Sequence, residues 1–299
     1  MRMRKNMTSE VSVTHDFDEE FALEKGLKNI HINKFIKRSD TVVIVPNWVN
    51  HKKPDPVDAV VVGQNSLRKV IEVIKDCKPK TIIVASGSGG DKTSSVMKKV
   101  GYKKVIDETG VEFIDLNFGP YFDLSLNHKR PYSTKINQII ELATVIISFT
   151  QLKHHEESTI SASIKNIALG LPPAEIHGYP KKDLGIHDDL HGFITAMAER
   201  IPIDISIVSC NPVMIGSGPT KGISKHAHLV ICGTDPVATD TVGARLLGFK
   251  PQAVQYLFKC GELKIGETDI DNIDMKGLSI KKAEKIFSEN VYGEKIIID

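Results

Sequence analysis

The stretch SLRKVIEVIKDCKPKTIIVA, residues 66–85, places an amphipathic helix directly before an apolar strand. The apolar residues of its first half recur at the i, i+3, i+4, i+7 spacing of one helix face: Leu67, Val70, Ile71 and Ile74. After a Lys-Pro-Lys break, a β-branched run begins at Thr81. A helix followed by a strand that is apolar throughout is typical of a βαβ unit, in which helices cover both faces of a parallel sheet.

The same alternation continues on both sides of this stretch. Further β-branched apolar runs occupy residues 41–46, 144–149, 204–209 and 228–232. A second crossover helix is predicted over residues 236–247, because Asp235 can cap it, a proline stands at its first position and Gly248 follows its end. We therefore predict an α/β fold with mostly parallel sheets and crossover helices.

The alternation stops between residues 151 and 189, which are rich in His, Lys, Gly and Pro and contain no strong strand pattern. A long irregular stretch inside a compact α/β chain is usually functional. We predict two α/β lobes, residues 1–150 and 151–299, with the candidate functional segment at the start of the second.

The composition excludes several classes of protein. Of 299 residues, 41% are hydrophobic and 25% are charged, and the formal net charge is only +2. These values exclude intrinsic disorder and a collagen-like chain. So small a net charge gives no field that would favour nucleic acid as the main partner. No apolar run approaches the roughly 18 residues that a membrane helix needs, so we expect no membrane partner.

The number and spacing of the cysteines indicate the cellular compartment of the protein. All four stand singly and tens of residues apart: Cys77, Cys210, Cys232 and Cys260. The sequence has no CxxC pair, and no apolar leader follows the basic N-terminus. This usage is typical of the reducing cytosol, so we expect a cytoplasmic protein.

Two glycine-rich loops follow predicted strands. Ser86, Gly87 and Gly89 begin the first, and Gly216, Gly218 and Gly222 belong to the second. Backbone N–H groups at the carboxyl end of a parallel strand can bind an anion, so these six residues are candidate ligand contacts. The first loop matches neither a P-loop nor a dinucleotide fingerprint. Both loops are equally compatible with simple chain turns.

Histidines and lysines concentrate in the irregular segment. Lys153, His155 and Lys165 could act as proton donor, base or anion contact. The alternative is a solvated polar loop. His187 and His191 have the i, i+4 spacing that would bring two imidazoles to one helix face as metal ligands. Their alternative is an ordinary helix start capped by the neighbouring aspartates, residues 188 and 189.

The order of the motifs carries more information than any one of them. They are Lys153-x-His155, Lys165-Asn166, His191-Gly, Gly216-Ser-Gly-Pro-x-x-Gly222, Gly233-Thr-Asp-Pro-Val-Ala-Thr-Asp240 and Ala244-Arg-Leu-Leu-Gly-Phe. In this order they resemble the prokaryotic domain-of-unknown-function family numbered 362, over about residues 145 to 277. The N-terminal half matches more loosely, through Pro46-Asn47 at a strand end.

That resemblance implies a contrast with many relatives, which carry a ferredoxin-type CxxCxxCxxxC module. This sequence has no such module, so we expect no iron–sulfur cluster of its own. A more distant similarity is to the nickel-pincer lactate racemases, in which a His and a Lys ten residues apart serve the active site. By position, His155 would be a base or ligand, and Lys165 a cofactor or substrate contact.

Taken together, these observations predict a cleft of strand-end loops that acts on a small anionic molecule by proton transfer, in the manner of a racemase or epimerase. The predicted catalytic residues are Lys153, His155 and Lys165. A divalent metal, if one is used, would bind His155, His187 and His191. The predicted ligand contacts are the glycine-loop residues above with Asn47, Asn166, Asp235 and Asp240. An Asp before a proline is also what a helix N-cap requires.

The sequence leaves open whether the protein is an enzyme. The alternatives are a non-catalytic carrier of a ligand or metal, and an accessory subunit of an iron–sulfur redox partner.

Overall fold

The computed structural model describes residues 2–47 and 58–294. Their strands are, in chain order, β1 (Glu10–His15), β2 (Thr41–Pro46), β3 (Thr81–Ser86), β4 (Glu112–Asp115), β5 (Tyr121–Ser125), β6 (Ser133–Asn137), β7 (Val145–His155), β8 (Thr159–Ser161), β9 (Ile205–Ile215), β10 (Ile223–Lys225), β11 (Leu229–Gly233) and β12 (Asp274–Gly277). The helices of the same residues are α1 (Glu19–Asn29), α2 (Ile32–Phe35), α3 (Gln64–Asp76), α4 (Thr93–Lys99), α5 (Tyr102–Thr109), α6 (Ile139–Leu142), α7 (Ser163–Gly170), α8 (Ala174–His177), α9 (Leu190–Arg200), α10 (Pro236–Leu246), α11 (Gln255–Glu262) and α12 (Ile280–Tyr292).

Ten of these strands form one central sheet. Its main path runs β12-β1-β11-β9-β7-β2-β3-β4, while β10 pairs with β9 and β8 pairs with β7. The strands from β4 to β9 along this path are mutually parallel, and β11 and β1 add antiparallel pairs. β5 and β6 form a separate two-stranded sheet. The predicted α/β fold with mostly parallel strands is confirmed.

Both faces of the sheet are buried, as the continuous apolar runs predicted. Val43 and Val45 of β2 point into one core with residues of α7, α9 and α10, whereas Val42 and Ile44 point into the other with residues of α1, α3 and α5. The period-2 alternation of a strand therefore supplies apolar residues to two cores at once. Within the described residues, no helix is long and apolar enough to cross a membrane.

The predicted boundary at residue 150 falls inside β7. This strand pairs with β2 on one side and β9 on the other, so the sheet continues across the boundary. β7 also extends six residues further than the apolar run 144–149, because β8 folds back and pairs with Lys153 and His155. The expectation of an irregular chain directly after residue 150 is therefore wrong. The division into two lobes stays a prediction.

The strand order contains a switch point beside β7. From β2 the chain moves outward through β3 to β4, and it then returns with β7 on the opposite side of β2. In open α/β sheets, the carboxyl ends of the strands at such a reversal enclose a crevice in which ligands bind. The topology therefore places the natural binding crevice between the ends of β2 and β7.

Candidate functional site

A cavity of about 410 Å³ lies at this switch point. It is bounded by the ends of β2, β3 and β7, by α7 and by the loops before α9 and after β9. Nine of the predicted site residues line it: Asn47, Ser86, Gly87, Gly89, Lys153, His155, Lys165, Asn166 and His187. Six do not: His191, Gly216, Gly218, Gly222, Asp235 and Asp240. The cavity has the volume of a small-molecule site.

Lys153 reaches the cavity from the interior of the sheet. Its side chain is only 2% exposed, and its Nζ donates one hydrogen bond to the Val60 carbonyl, at 2.9 Å. Burial and, to a smaller extent, the ammonium group of Lys165 lower the pKa of Lys153 to about 7. A lysine in this condition has a substantial neutral fraction near neutral pH and can act as a base or nucleophile.

Among the described residues, Lys165 differs from Lys153 and Lys181 in having no hydrogen-bond acceptor for its Nζ. It lines the cavity from the first turn of α7, and no hydrogen-bond acceptor contacts its Nζ among residues 2–47 and 58–294. Burial lowers the pKa of Lys165 to about 8, against the opposing effect of the Glu157 carboxylate. Its three N–H groups are therefore available to an anion inside the cavity.

Lys181, which the sequence analysis did not single out, is one of four lysines that line the cavity, with Lys153, Lys165 and the exposed Lys182. Its Nζ donates to the carbonyl groups of Gly87 at 2.9 Å, Gly170 at 3.0 Å and Leu169 at 3.2 Å. All three N–H donors are thus used, and burial lowers the pKa of Lys181 to about 7. This side chain ties the loop after β3 to the end of α7. The three acceptors come from two segments that are far from Lys181 or from each other in the sequence, so no local sequence pattern could have predicted this role of Lys181.

His155 presents an N–H group to the cavity. Its Nδ1 accepts hydrogen bonds from the backbone N–H groups of Glu157 at 3.1 Å and Ser158 at 3.3 Å. Burial, together with the ammonium groups of Lys165 and Lys153, lowers the pKa of His155 to about 2. The ring is therefore neutral, and with Nδ1 used as an acceptor its proton is on Nε2. This arrangement favours a hydrogen-bond donor over the predicted base or metal ligand.

His187 and His191 do not share a helix face. α9 begins only at Leu190, where the Asp189 side chain caps it by accepting from the Gly192 N–H at 2.9 Å. This is the alternative that the sequence left open. His187 lies before the helix at the cavity wall, with its Nδ1 2.8 Å from a Glu157 carboxylate oxygen.

The three histidines do not fit the predicted metal site. His191 Nδ1 accepts from the Tyr256 N–H at 3.2 Å, and His187 is paired with Glu157. His155 Nδ1 already accepts a hydrogen bond, and its Nε2 carries the proton, so neither nitrogen offers a lone pair to a metal ion. Throughout the part of the chain that the structure describes, no group of three or more His, Cys, Asp or Glu side chains is arranged to hold a metal ion.

Asn47 and Asn166 have different roles at the cavity wall. The Asn166 amide donates to the Val45 carbonyl at 2.9 Å and to Ser148 Oγ at 3.0 Å, so it joins α7 to β2 and β7. The Asn47 amide donates to Val60, the carbonyl that Lys153 also contacts. Its Oδ1 is buried and has no hydrogen-bond donor within the described residues. Asn166 is therefore chiefly structural, while Asn47 retains an acceptor.

The second glycine loop forms part of the cavity rim. Pro219 and Thr220 line the cavity, while the glycines allow the loop to approach β7. A Cβ at Gly218 would lie 1.8 Å from the His154 carbonyl oxygen, and Gly216 has a φ of +82°. A Cβ at Gly222, which lies closer to β10, would likewise clash with the backbone oxygen of Ile215. The glycines therefore allow the loop to pack closely against the neighbouring strands, and Pro219 and Thr220 form the part of the loop that lines the cavity.

Asp235 and Asp240 cap the N-termini of helices and do not line the cavity. Asp235 caps α10 by accepting from the N–H groups of Val237 and Ala238. Asp240 is completely buried and accepts from the N–H groups of Ser163 at 2.8 Å and Ile164 at 3.0 Å, which begin α7. The N-terminus of the helix that carries Lys165 is thus capped by a carboxylate from α10.

Asp240→Asn should destabilise the fold by about 2–3 kcal/mol, because one carboxylate oxygen is replaced by an NH₂ group that faces a buried N–H of α7. Chemical denaturation followed by circular dichroism measures this change. Asp188→Asn, at an exposed residue, is the matched control and should change stability by less than about 0.5 kcal/mol. Equal stability of the two variants would contradict a capping role for Asp240.

The fold of the chain can be compared with a solved protein. The lactate racemase apoprotein from Thermoanaerobacterium thermosaccharolyticum superposes with a TM-score of 0.45 and 14% identity, covering 80% of this chain. The match spans 58% of the racemase chain. No curated protein matches by sequence.

The family assignment comes from a sequence model rather than from that superposition. The model of the family described as domain of unknown function (DUF362) matches residues 14–245. The match includes β7, α7 and the cavity lysines, and it extends well beyond half of the chain. The chain therefore belongs to the DUF362 family.

Proposed function

We propose that the crevice binds a small molecule bearing a carboxylate or phosphate group and transfers a proton to or from that molecule. The observation that carries the proposal is Lys165, a cavity lysine whose Nζ contacts no acceptor among the described residues. Lys153 and Lys181, in contrast, are bonded to backbone carbonyls. A half-buried cation without a partner is unfavourable by itself, and an anionic ligand would supply the missing acceptor.

The surrounding groups favour the same class of ligand. Lys153 and Lys181, each with a pKa of about 7, carry a partial positive charge near neutral pH, and the Nε2–H of His155 is a neutral donor for an oxygen atom. Glu157 is the main acidic group facing Lys165, and it is exposed and paired with His187. Four lysines line the cavity against two acids, Glu156 and Glu157, and both acids are exposed, so the charge of the lining favours an anion.

Lys153 is the proton-transfer group in this proposal. Its pKa of about 7 allows it to be neutral while Lys165, with a pKa of about 8, is still charged. The bond to Val60 holds its Nζ at the cavity wall. Lys165 would hold the acid group, His155 would donate to an oxygen of the ligand, and Lys153 would take the proton.

The rate of solvent-proton exchange into the bound acid should depend on pH as a bell with its maximum between about 7 and about 8. The rate rises as Lys153 loses its proton, because the neutral amine is the base. It falls as Lys165 loses its proton, because the ammonium holds the acid. Because the two amines interact, the two apparent pKa values of the bell describe the coupled pair of lysines and not either lysine alone. A flat profile across this range would contradict the assignment.

Titration calorimetry tests the binding part of the proposal. Acetate, propionate, pyruvate and inorganic phosphate should bind with one site per chain, whereas acetamide should not. Binding should weaken with added salt only modestly, because the cavity is partly screened from solvent. Failure of all four anions to bind would overturn the proposed function. Binding without proton exchange would instead favour a ligand carrier.

A further inference from the structure

We infer that Lys153 forms a covalent imine with the carbonyl carbon of a small oxo acid whose acid group is held by Lys165. This inference rests on the proposed function and narrows its substrate class to oxo acids. It depends on the different hydrogen bonds made by three of the cavity lysines, Lys153, Lys165 and Lys181.

The amine of Lys153 is positioned but not saturated. Val60 accepts one N–H, at 2.9 Å, and no other acceptor contacts the Nζ within residues 2–47 and 58–294. The side chain is almost wholly buried and still borders the cavity. A nucleophile needs this combination, since one fixed bond orients the nitrogen and the lone pair remains free to attack.

The neighbouring lysine makes Lys153 reactive. A second cation close to a desolvated lysine favours its neutral, nucleophilic form. Lys165 is that cation, and it acts on Lys153 in addition to burial. The same ammonium can bind the carboxylate of the oxo acid and so bring the carbonyl carbon to Lys153. Lys181 cannot compete for either task, because its three N–H groups are bonded to carbonyls.

The remaining groups can assist loss of water. The Nε2–H of His155 can donate to the carbonyl oxygen, and the Glu157–His187 pair at the cavity wall can relay a proton from solvent. The nitrogen of Lys153 forms a bond to the carbonyl carbon, and the carbon–oxygen bond then breaks. The oxygen leaves as water with one proton from the amine and one from solvent, and a protonated imine remains.

The imine also explains why proton transfer would follow. Its positive nitrogen withdraws electrons from the adjacent carbon, so a proton on that carbon becomes acidic. An unactivated acid would lack this assistance. In this route Lys153 activates the carbon through the imine instead of taking the proton itself, and the Glu157–His187 pair at the cavity wall receives the proton.

Reductive trapping tests the imine. The full chain is incubated with pyruvate and sodium cyanoborohydride, and its intact mass and tryptic peptides are measured. We expect one adduct per chain, heavier by pyruvic acid less one oxygen atom, on Lys153. Excess propionate, which has the acid group without the carbonyl, should suppress it. Lys153→Met should abolish the adduct, while Lys182→Met, at an exposed lysine of the same cavity, should retain it.

The result that overturns the inference can be distinguished from failure of the proposed function. An adduct on any other lysine, or none with pyruvate and acetoacetate when calorimetry shows that both bind, would exclude the imine and leave anion binding intact. If neither these oxo acids nor propionate binds, both proposals fail. The peptide that carries the adduct is identified in the wild-type protein, so the test does not depend on the folding of a variant.

Discussion

Lys165→Met should weaken the binding of small acids by at least about 30-fold, because an anion buried beside one lost ammonium partner forfeits about 2 kcal/mol or more. The melting temperature should stay the same or rise. The reason is that Nζ has no acceptor among the described residues, so its removal breaks no bond and eliminates a partly buried charge. A lysine that served the fold would show the opposite pattern.

Calorimetry with propionate and thermal unfolding of the same samples measure both quantities. Lys182→Met is the matched control, since Lys182 also lines the cavity but is exposed and 3.8 Å from Glu157. It should change binding by less than about threefold, as expected for a solvent-screened charge. Unchanged binding in Lys165→Met, or a large loss of stability, would remove Lys165 from the site.

Lys181→Met should lower the free energy of unfolding by about 2–4 kcal/mol, because the Gly87, Leu169 and Gly170 carbonyls would lose a shared donor. The change should also loosen the cavity wall, since Lys181 connects the loop after β3 to the end of α7. Weaker acid binding should therefore accompany lower stability, in contrast to the effect at Lys165.

Denaturant unfolding of Lys181→Met beside Lys182→Met gives the comparison. The two residues are adjacent, but only Lys181 is buried. Indistinguishable midpoints for the two variants would show that the three carbonyls are satisfied without the ammonium group, and the assigned structural role would be wrong.

The fold was predictable from the sequence because its signals are local. The periodicity of residues 66–85 predicted α3 and β3, and Asp235 with its proline predicted the start of α10. The length of β7 was not predictable in the same way. Its last residues are polar, and they pair with β8 only because the chain reverses there. A propensity argument cannot detect such a tertiary effect.

The candidate site was predictable in part. Residues that follow strand ends reach the cavity, as Asn47, Ser86 and Lys153 do, because carboxyl ends of parallel strands meet at one edge. The spacing of His187 and His191 was misleading, because the helix begins between them. The motif that ends in Asp240 acts outside the cavity, because the Asp240 carboxyl group accepts from the first N–H groups of α7.

The most direct test of the central claim is deuterium incorporation. Pyruvate is incubated with the protein in D₂O, and proton NMR follows the hydrogens on the carbon next to its carbonyl group. Propionate, which has no carbonyl group, is the comparison and should not exchange. The account predicts that the wild-type protein accelerates exchange, and that both Lys153→Met and Lys165→Met abolish the acceleration. Saturation of the crevice by pyruvate without any exchange above the rate in buffer would contradict proton transfer at this site.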